Sequence, residues 1–362
     1  MLRGLAALSV VLSHTLGLQH RLPNLGPSHF NGIVTPAVTG VEFFFVLSGF
    51  VMAMTHGRDI GKPGRILPFA WARIRRLYPL LWVVLALQLI VDGAGPYPLS
   101  TWAGAALLAP MDLVAIIAVL WTLKLEVMFY VLLALSMLPV VGWVILVVWA
   151  ALPPLLLVWP VADHVFGFGT TALFVRSGDP IFNATFLLFS VDFLIGLAVG
   201  LLQGRIRMSQ TAAWLLAAAG AGLVCARLVV DDWGTSYGPL GARYIYGVGF
   251  GAILVGCTAA ERAATWRLGR WATVLGAATY PTYLVHLLVV ERASAMAPAP
   301  SLGWLTPADV LLLGTIIASV AAGLFLAYAV DRPIQRVLKQ LVRTPRQNRS
   351  PAPETAVALN QG

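Results

Sequence analysis

Long apolar runs, repeated along nearly the whole chain, constrain the fold of this sequence more than any other feature. A run of about 20 apolar residues is long enough to cross a bilayer as a helix. We identify ten runs, at residues 3–19, 36–55, 77–94, 118–138, 140–160, 180–203, 211–230, 244–260, 272–290 and 308–330. Only 11% of the 362 residues are charged, whereas a soluble protein has about 25%. The sequence therefore predicts an all-α polytopic membrane protein with about ten transmembrane helices.

The basic residues between the runs predict the orientation of the chain. When both termini are placed in the cytosol, most Lys and Arg residues fall on the cytosolic side, as the positive-inside rule requires. The loops on the opposite side hold Arg21, Arg176, Arg243 and Arg292. The net charge of +9 is thus explained by topology, and we expect no nucleic-acid partner. The alanine-rich, lysine-poor composition is typical of a bacterial chain, so the expected location is the cell inner membrane.

We divide the chain into a membrane domain at residues 1–332 and a cytosolic segment at 333–362. The segment begins as a basic amphipathic stretch, in which Arg336, Lys339 and Arg343 can share one face toward anionic headgroups. The remainder is predicted to be disordered. The stretch 100–116 is apolar but contains Pro110 and Asp112, and is predicted to be re-entrant or interfacial.

Few ionisable residues lie within the predicted membrane runs. Such a residue is costly in hydrocarbon and usually faces a protein interior or a water-filled cavity. These residues are His14, Glu42, Lys124, Glu126, Asp192 and His286. As a class they indicate either a functional site or polar contacts that hold helices together, and both interpretations stay open. We expect no metal site.

The first run places Arg3 and His14 on one helix face. They are eleven residues apart, which is nearly three turns and about 16 Å along the axis. Arg3 would lie at the cytosolic interface and His14 near the middle of the bilayer. The pair predicts a cation for an anion entering from the cytosol and, deeper, a general base that can accept a proton near neutral pH. Taken alone, Arg3 would also fit a topological anchor.

Six sequence segments occur in the order in which the membrane-bound acyltransferase 3 family has them, and resemble that family. The first is the arginine and histidine of "RGLAALSVVLSH". The others are "GVEFFFVLSGFVM", "RIRRLYPLLW", "LWTLKLEVMFY", "TYPTYLVHLLVV" and "AVDRPIQRVLK". The resemblance covers residues 3–339. The chain departs from the family at Thr122, where serine is usual, and at Lys124, an unusual charge in its motif.

The resemblance implies transfer of an acyl group, often acetyl, from acyl-CoA to a hydroxyl of a glycan or other cell-envelope acceptor. It also implies that His14 deprotonates the acceptor hydroxyl. Acyl-CoA would be a co-substrate rather than a permanently bound cofactor. Glu42 is a candidate to hold the His14 ring, as carboxylates do in other general-base pairs. The oligomeric state and the acceptor are not indicated.

The donor is expected to bind at the cytosolic side. Arg73 and Arg76 are one helical turn apart, and guanidinium groups bind phosphates such as those of coenzyme A. Arg3 is expected to contribute to the same site. Tyr283 and His286 are candidates to line the channel for the acyl or pantetheine group, and His286 would equally fit a core histidine. The arginines would also fit a positive-inside anchor.

Four further residues complete the candidate site. Glu126 and Tyr130 are four residues apart and share a helix face, where the acid could position the acceptor or the catalytic ring. Ser48 is an alternative nucleophile, although a serine before glycine in a membrane helix more often serves close packing. Trp121 is assigned to acceptor binding or packing.

A transporter is the alternative to an acyltransferase. Ten helices with buried charges would suit a small anionic or glycan-linked substrate. The sequence lacks a matching pair of Gly/Pro-interrupted runs in its two halves, which many transporters have.

Overall fold

The computed structural model describes residues 2–22, 28–30, 39–109, 116–166, 184–230, 240–263, 269–295 and 301–341. These residues are almost entirely helical, and no β-strand occurs among them. The prediction of an all-α chain is therefore confirmed for this part of the sequence. The residues predicted to be disordered, 344–362, lie outside the described residues, as do Arg343 of the predicted amphipathic face, Pro110 and Asp112.

Twelve α-helices follow one another in the described residues. They are α1 (Leu2–Arg21), α2 (Gly40–His56), α3 (Ile66–Asp92), α4 (Leu99–Leu107), α5 (Leu120–Leu135), α6 (Val141–Phe166), α7 (Ala184–Leu202), α8 (Gln210–Val230), α9 (Leu240–Ala263), α10 (Arg270–Ser294), α11 (Pro307–Phe325) and α12 (Arg332–Leu341). Every helix except α4 and α12 overlaps one of the ten apolar runs.

In the described part of the chain, six helical segments are long and apolar enough to cross a membrane. They are Gly40–Asp59, Pro63–Asp92, Gln210–Val229, Tyr244–Arg262, Thr273–Ser294 and Pro307–Leu341. Leu2–Gly17 and Val141–Leu155 are apolar helical segments of shorter length. A multi-pass membrane protein is thus supported, whereas ten spans and the cytosolic placement of both termini stay predictions.

The third helix begins earlier than the sequence indicated. Its predicted start at residue 77 was wrong, because α3 begins at Ile66 and includes the whole "RIRR" segment. These arginines lie outside the apolar run, which does not mark where the helix begins. Arginine favours helix about as strongly as leucine does. Arg73 and Arg76 therefore project from a continuous helix rather than from a loop. Asp59 closes the preceding turn by accepting hydrogen bonds from His56 and Arg65.

The apolar stretch after α3 forms α4, which has nine residues and is too short to cross a bilayer. It packs along α3, where Trp82 Nε1 donates to the carbonyl of Ala106 at 2.9 Å and Tyr78 donates to that of Leu107 at 3.1 Å. These bonds satisfy carbonyls at the last turn of α4, which have no partner within the helix.

The chain ends its membrane domain through a π-helical stretch, Leu326–Asp331, that leads directly into α12. No residue of α12 is buried. Gln335 nevertheless ties this helix to α3, because its Nε2 donates to the carbonyl of Arg75 at 2.5 Å. Asp331 contacts the neighbouring Arg76 at 3.2 Å.

Glycines bring two helices of the bundle into direct backbone contact. A Cβ atom on Gly49 of α2 would lie 1.9 Å from the carbonyl oxygen of Phe193, and one on Gly196 of α7 would lie 1.8 Å from that of Val46. Gly200 repeats the contact one turn later. Small residues at helix interfaces are the usual means of close packing in membranes. We call these three glycines the glycine seam.

Candidate active site

A cavity of about 60 Å³ lies where α1, α2, α3, α5 and α10 converge. Its lining residues are Arg3, Phe44, Ser48, Arg73, Arg76, Leu77, Glu126, Tyr130, Gly276, Thr279 and Tyr280. Six of the predicted site residues therefore meet in one cavity. Three of these are arginines and one is an acid, so the cavity favours an anionic ligand.

The two arginines of α3 differ in their contacts. Arg73 lies over the rings of Phe69 and Tyr130, with its central carbon 5.6 Å and 5.5 Å from the two ring centres. Its Nε atom is buried and has no hydrogen-bond partner among the described residues. Arg76 is bonded to Asp331 and lies 5.4 Å from the ring centre of Tyr280. Arg73 is thus held by aromatic faces, and its Nε–H is left to bond a ligand.

Glu126 is held by hydroxyl groups on two helices. Tyr130 donates to its Oε1 atom from the next turn of α5, as their spacing predicted. Ser48 of α2 lies 3.4 Å from the same oxygen. These contacts fix the carboxylate next to the arginines.

His14 and His286 form a pair outside the residues that line the cavity. His286 Nε2 lies 3.2 Å from His14 Nδ1, and the two ring centres are 5.1 Å apart. The sequence indicated both residues but not that α1 and α10 would bring them together. Tyr283 also lies outside the lining of this cavity, so the role of Tyr283 and His286 in a channel for the acyl or pantetheine group stays a prediction.

Backbone carbonyls determine which ring nitrogens of the pair carry protons. Tyr283 O lies 2.7 Å from His286 Nδ1, and Val10 O lies 3.0 Å from His14 Nδ1. A carbonyl oxygen only accepts, so both Nδ1 atoms must donate. His286 Nε2 then holds a lone pair, and the single hydrogen of His14 Nδ1 is shared between the Val10 carbonyl and this nitrogen. In a neutral His14 ring the basic nitrogen is therefore Nε2.

Aromatic contacts connect the cavity with the histidine pair. Phe44 lines the cavity and stacks on Tyr283, with ring centres 5.8 Å apart and an angle of 8° between the rings. Tyr283 in turn lies 5.8 Å from the His286 ring. Thr122, the residue at the position where the family usually has serine, hydrogen-bonds the Tyr283 hydroxyl. Threonine has a hydroxyl group, as serine does, and Thr122 uses it in this contact.

The remaining predicted residues lie around this arrangement. Glu42 is buried in the first turn of α2, and Lys124 is buried on α5. Trp121 packs its ring against Phe189 at 5.4 Å, which favours the packing interpretation. Sequence reasoning missed Tyr280 and Asp331, although both belong to segments that carried the family resemblance.

Comparison with known proteins identifies the family. The acyltransferase 3 family model, which describes an acyltransferase domain, matches residues 1–332. The chain belongs to this family. The exopolysaccharide production protein ExoZ of Rhizobium meliloti (strain 1021) is 24% identical over 318 residues, which are 83% of this chain and 90% of that protein. No solved structure matches the chain.

Membership in the acyltransferase 3 family confirms the resemblance found in the sequence and indicates a transferase of the membrane. It supports this interpretation over a transporter. The six predicted site residues that line the cavity lie within the matched region, as do both histidines.

Proposed function

We propose that the chain is a membrane O-acyltransferase that moves an acyl group, acetyl being the expected one, from acyl-CoA to a hydroxyl of a cell-envelope polysaccharide. The observation that carries the proposal is the path of α1. This one helix brings Arg3 into the cationic cavity and His14 against a second imidazole about 16 Å further along. The printed name of the relative ExoZ, an exopolysaccharide production protein, supports a polysaccharide acceptor.

The cavity is proposed to hold the phosphates of acyl-CoA. The entering anion would meet a cluster of positive charge formed by Arg3, Arg73 and Arg76. Charge-assisted hydrogen bonds to phosphate are strong. The buried Nε of Arg73 supports this role, because a buried donor without a partner is costly until a ligand supplies an acceptor. The arginine cluster would face the cytosol, where coenzyme A is made.

His14 is proposed as the general base. Its Nε2 atom takes the proton of the acceptor hydroxyl as the oxygen attacks the thioester carbonyl. The C–S bond then breaks, and His14 returns the proton to the departing thiolate. His286 is a positioning residue, because its Nε2 accepts the bond from His14 Nδ1 and so stabilises the imidazolium that forms. No acyl-enzyme intermediate is required.

The two glutamates are proposed to support this chemistry from different positions. Glu126 lies in the cavity, where its charge partly offsets the three arginines and keeps the Tyr130 ring beneath Arg73. Glu42 is buried in the first turn of α2, and its proposed role is to hold the His14 ring, as carboxylates do in other general-base pairs.

The test is a transfer assay on the full chain in nanodiscs, with acetyl-CoA labelled on the acetyl group and polysaccharide from a host strain that lacks this protein. We expect labelled polysaccharide from the wild type. His14→Ala and His14→Gln should lower the rate about 10²–10⁴-fold at equal membrane abundance, which is the usual contribution of a general base. His56→Ala is the control, because this histidine pairs with Asp59 outside the cavity.

Two results would overturn the proposal. Wild-type rates in both His14 variants would exclude the general base. Uptake of label into sealed vesicles without any acylated product would establish the transporter alternative instead.

A further inference from the structure

A second polar cluster lies at the opposite end of the bundle from the arginine cavity. Asp309 lies in the first turn of α11, and the same helical stretch reaches Asp331, beside Arg76, before it continues into α12. The two acids are 22 positions apart, which is about 33 Å of helix and close to the thickness of the apolar part of a bilayer. Groups around Asp309 therefore face the side of the membrane opposite the arginines.

Asp309 is fully buried and organises this cluster. Its Oδ1 accepts bonds from Ser28 Oγ at 2.6 Å and from the His29 backbone N–H at 3.0 Å. Its Oδ2 accepts from His29 Nδ1 at 2.6 Å and from the Thr306 backbone N–H at 2.9 Å. Because a carboxylate only accepts, His29 Nδ1 carries a proton and Nε2 is the basic atom of the neutral ring.

This geometry excludes a serine nucleophile. In a catalytic triad the serine hydroxyl bonds to the histidine, whereas Ser28 here donates to the carboxylate. A capping role accounts for the reciprocal bonds between Asp309 and Thr306 at the start of α11. It does not account for the imidazole of His29, whose side chain is 55% exposed.

An exposed indole lies beside this imidazole. Trp304 is 72% exposed, and its ring meets that of His29 edge-on with centres 5.8 Å apart. It is presented by a tight turn, closed by two backbone hydrogen bonds between Leu302 and Leu305 at 3.0 and 3.1 Å. Gly303 supplies the positive φ of 60° that this turn needs. The hydrogen-bonded turn thus holds Trp304 in place at the protein surface.

We propose that Trp304 and His29 form a carbohydrate-binding subsite for the acyl acceptor on the membrane face opposite the donor. The apolar C–H face of a sugar ring packs on an aromatic ring, while His29 Nε2 accepts a hydrogen bond from a sugar hydroxyl. Asp309 positions the imidazole for that contact. The inference rests on the proposed function, since it specifies where the hydroxyl acceptor of that reaction binds. The competing role for Trp304 is an interfacial membrane anchor.

The probe is the unacylated polysaccharide from the host strain that lacks this protein, titrated onto the full chain in nanodiscs without donor. Trp304→Ala and His29→Asn are compared with wild type. Asparagine can still donate to Asp309, so His29→Asn can keep the tie to α11 while it removes the imidazole ring with its Nε2 and its contact with Trp304. Trp214→Ala is the matched control, an exposed tryptophan at the start of α8, which the topology predicted from sequence places on the donor side.

We expect Trp304→Ala and His29→Asn each to weaken polysaccharide binding at least tenfold, with the KM for acetyl-CoA unchanged and Trp304→Phe recovering part of the loss. Binding within twofold of wild type in both variants would overturn the subsite. An equal loss with Trp214→Ala would also overturn it, in favour of membrane anchoring. If wild type makes no acylated product, the proposed function fails, yet the donor-free titration still decides whether the polysaccharide binds here.

Discussion

The arginine cavity and the glycine seam adjoin each other but consist of different kinds of residue. Long charged and aromatic side chains from five helices line the cavity, whereas the seam brings two helix backbones together with no side chain between them. Ser48 and Gly49 show how close the two regions are, because the serine faces Glu126 and the next residue faces α7. The difference indicates that the seam determines whether the chain folds and the cavity determines what it does.

The largest effect is expected from Gly196→Leu in the seam. A side chain there clashes with the Val46 carbonyl oxygen. Because this oxygen belongs to the backbone and cannot change rotamer, α2 and α7 must separate. Overpacking of a well-packed core typically costs about 1–3 kcal/mol or more, and we expect most of the folded protein to be lost from the membrane. Quantitative blotting of membranes and thermal unfolding in detergent measure this loss. Gly222→Leu on α8 is the control, because no atom lies within 4 Å of the added Cβ; equal abundance of the two variants would contradict the division of roles.

The next effect concerns the proposed binding of the donor in the cavity. Arg73→Ala removes charge-assisted bonds worth about 1.5–3 kcal/mol each, which is roughly ten- to a hundredfold in affinity for acetyl-CoA. The change should appear in the KM for the donor and leave the abundance and unfolding temperature as they are. Arg207→Ala, an exposed arginine outside the cavity, should change neither. A fall in abundance with Arg73→Ala, as large as that with Gly196→Leu, would show that the cavity also determines the fold.

A smaller loss is expected at the histidine pair. His286→Ala removes the acceptor of the bond from His14 Nδ1, and we expect kcat to fall roughly tenfold as a hydrogen bond to a charged group is lost. His286→Asn should restore part of the rate, because its side-chain oxygen can accept the same bond. The rate against pH, measured at saturating donor and acceptor, separates this role from a structural one. An unchanged profile together with reduced abundance would assign His286 to packing.

Ser48→Ala is expected to have the smallest effect, a change of about threefold or less in kcat. The serine makes only a long bond to Glu126, and the carboxylate keeps its bond from Tyr130. Intact-protein mass spectrometry after mixing with acetyl-CoA provides the second readout. A loss of a thousandfold, together with an acetylated wild-type protein, would establish Ser48 as a nucleophile and exclude direct transfer.

The sequence allowed the helices to be predicted because apolar length is a local property. The shared face of Arg3 and His14 was also predictable, since it depends only on 3.6 residues per turn. The start of α3 was not, because its first turns are helical without being apolar. Contacts between distant helices were beyond a single sequence, as His14 and His286 show; their separation of 272 residues leaves no trace in any local pattern.

The cluster around Asp309 also could not be predicted from the sequence. Ser28 and His29 lie in a loop whose Pro- and Gly-rich sequence gives no periodic signal, and their partner lies 280 residues away. Trp304 is one of twelve tryptophans, and nothing in the sequence distinguishes it from those that pack. Exposure decides between these roles, and exposure depends on the whole bundle.

The contact between α1 and α10 also has a consequence for biosynthesis. The ribosome adds the 272 residues from His14 to His286 at about 5–20 residues per second, so the first helix waits about 14–54 s in the membrane for its partner. Throughout that interval Arg3 and His14 lack the wall of the site that α10 provides. A nascent chain therefore lacks the α10 part of the cavity, and under the proposed function we expect no acyl transfer until translation has passed α10.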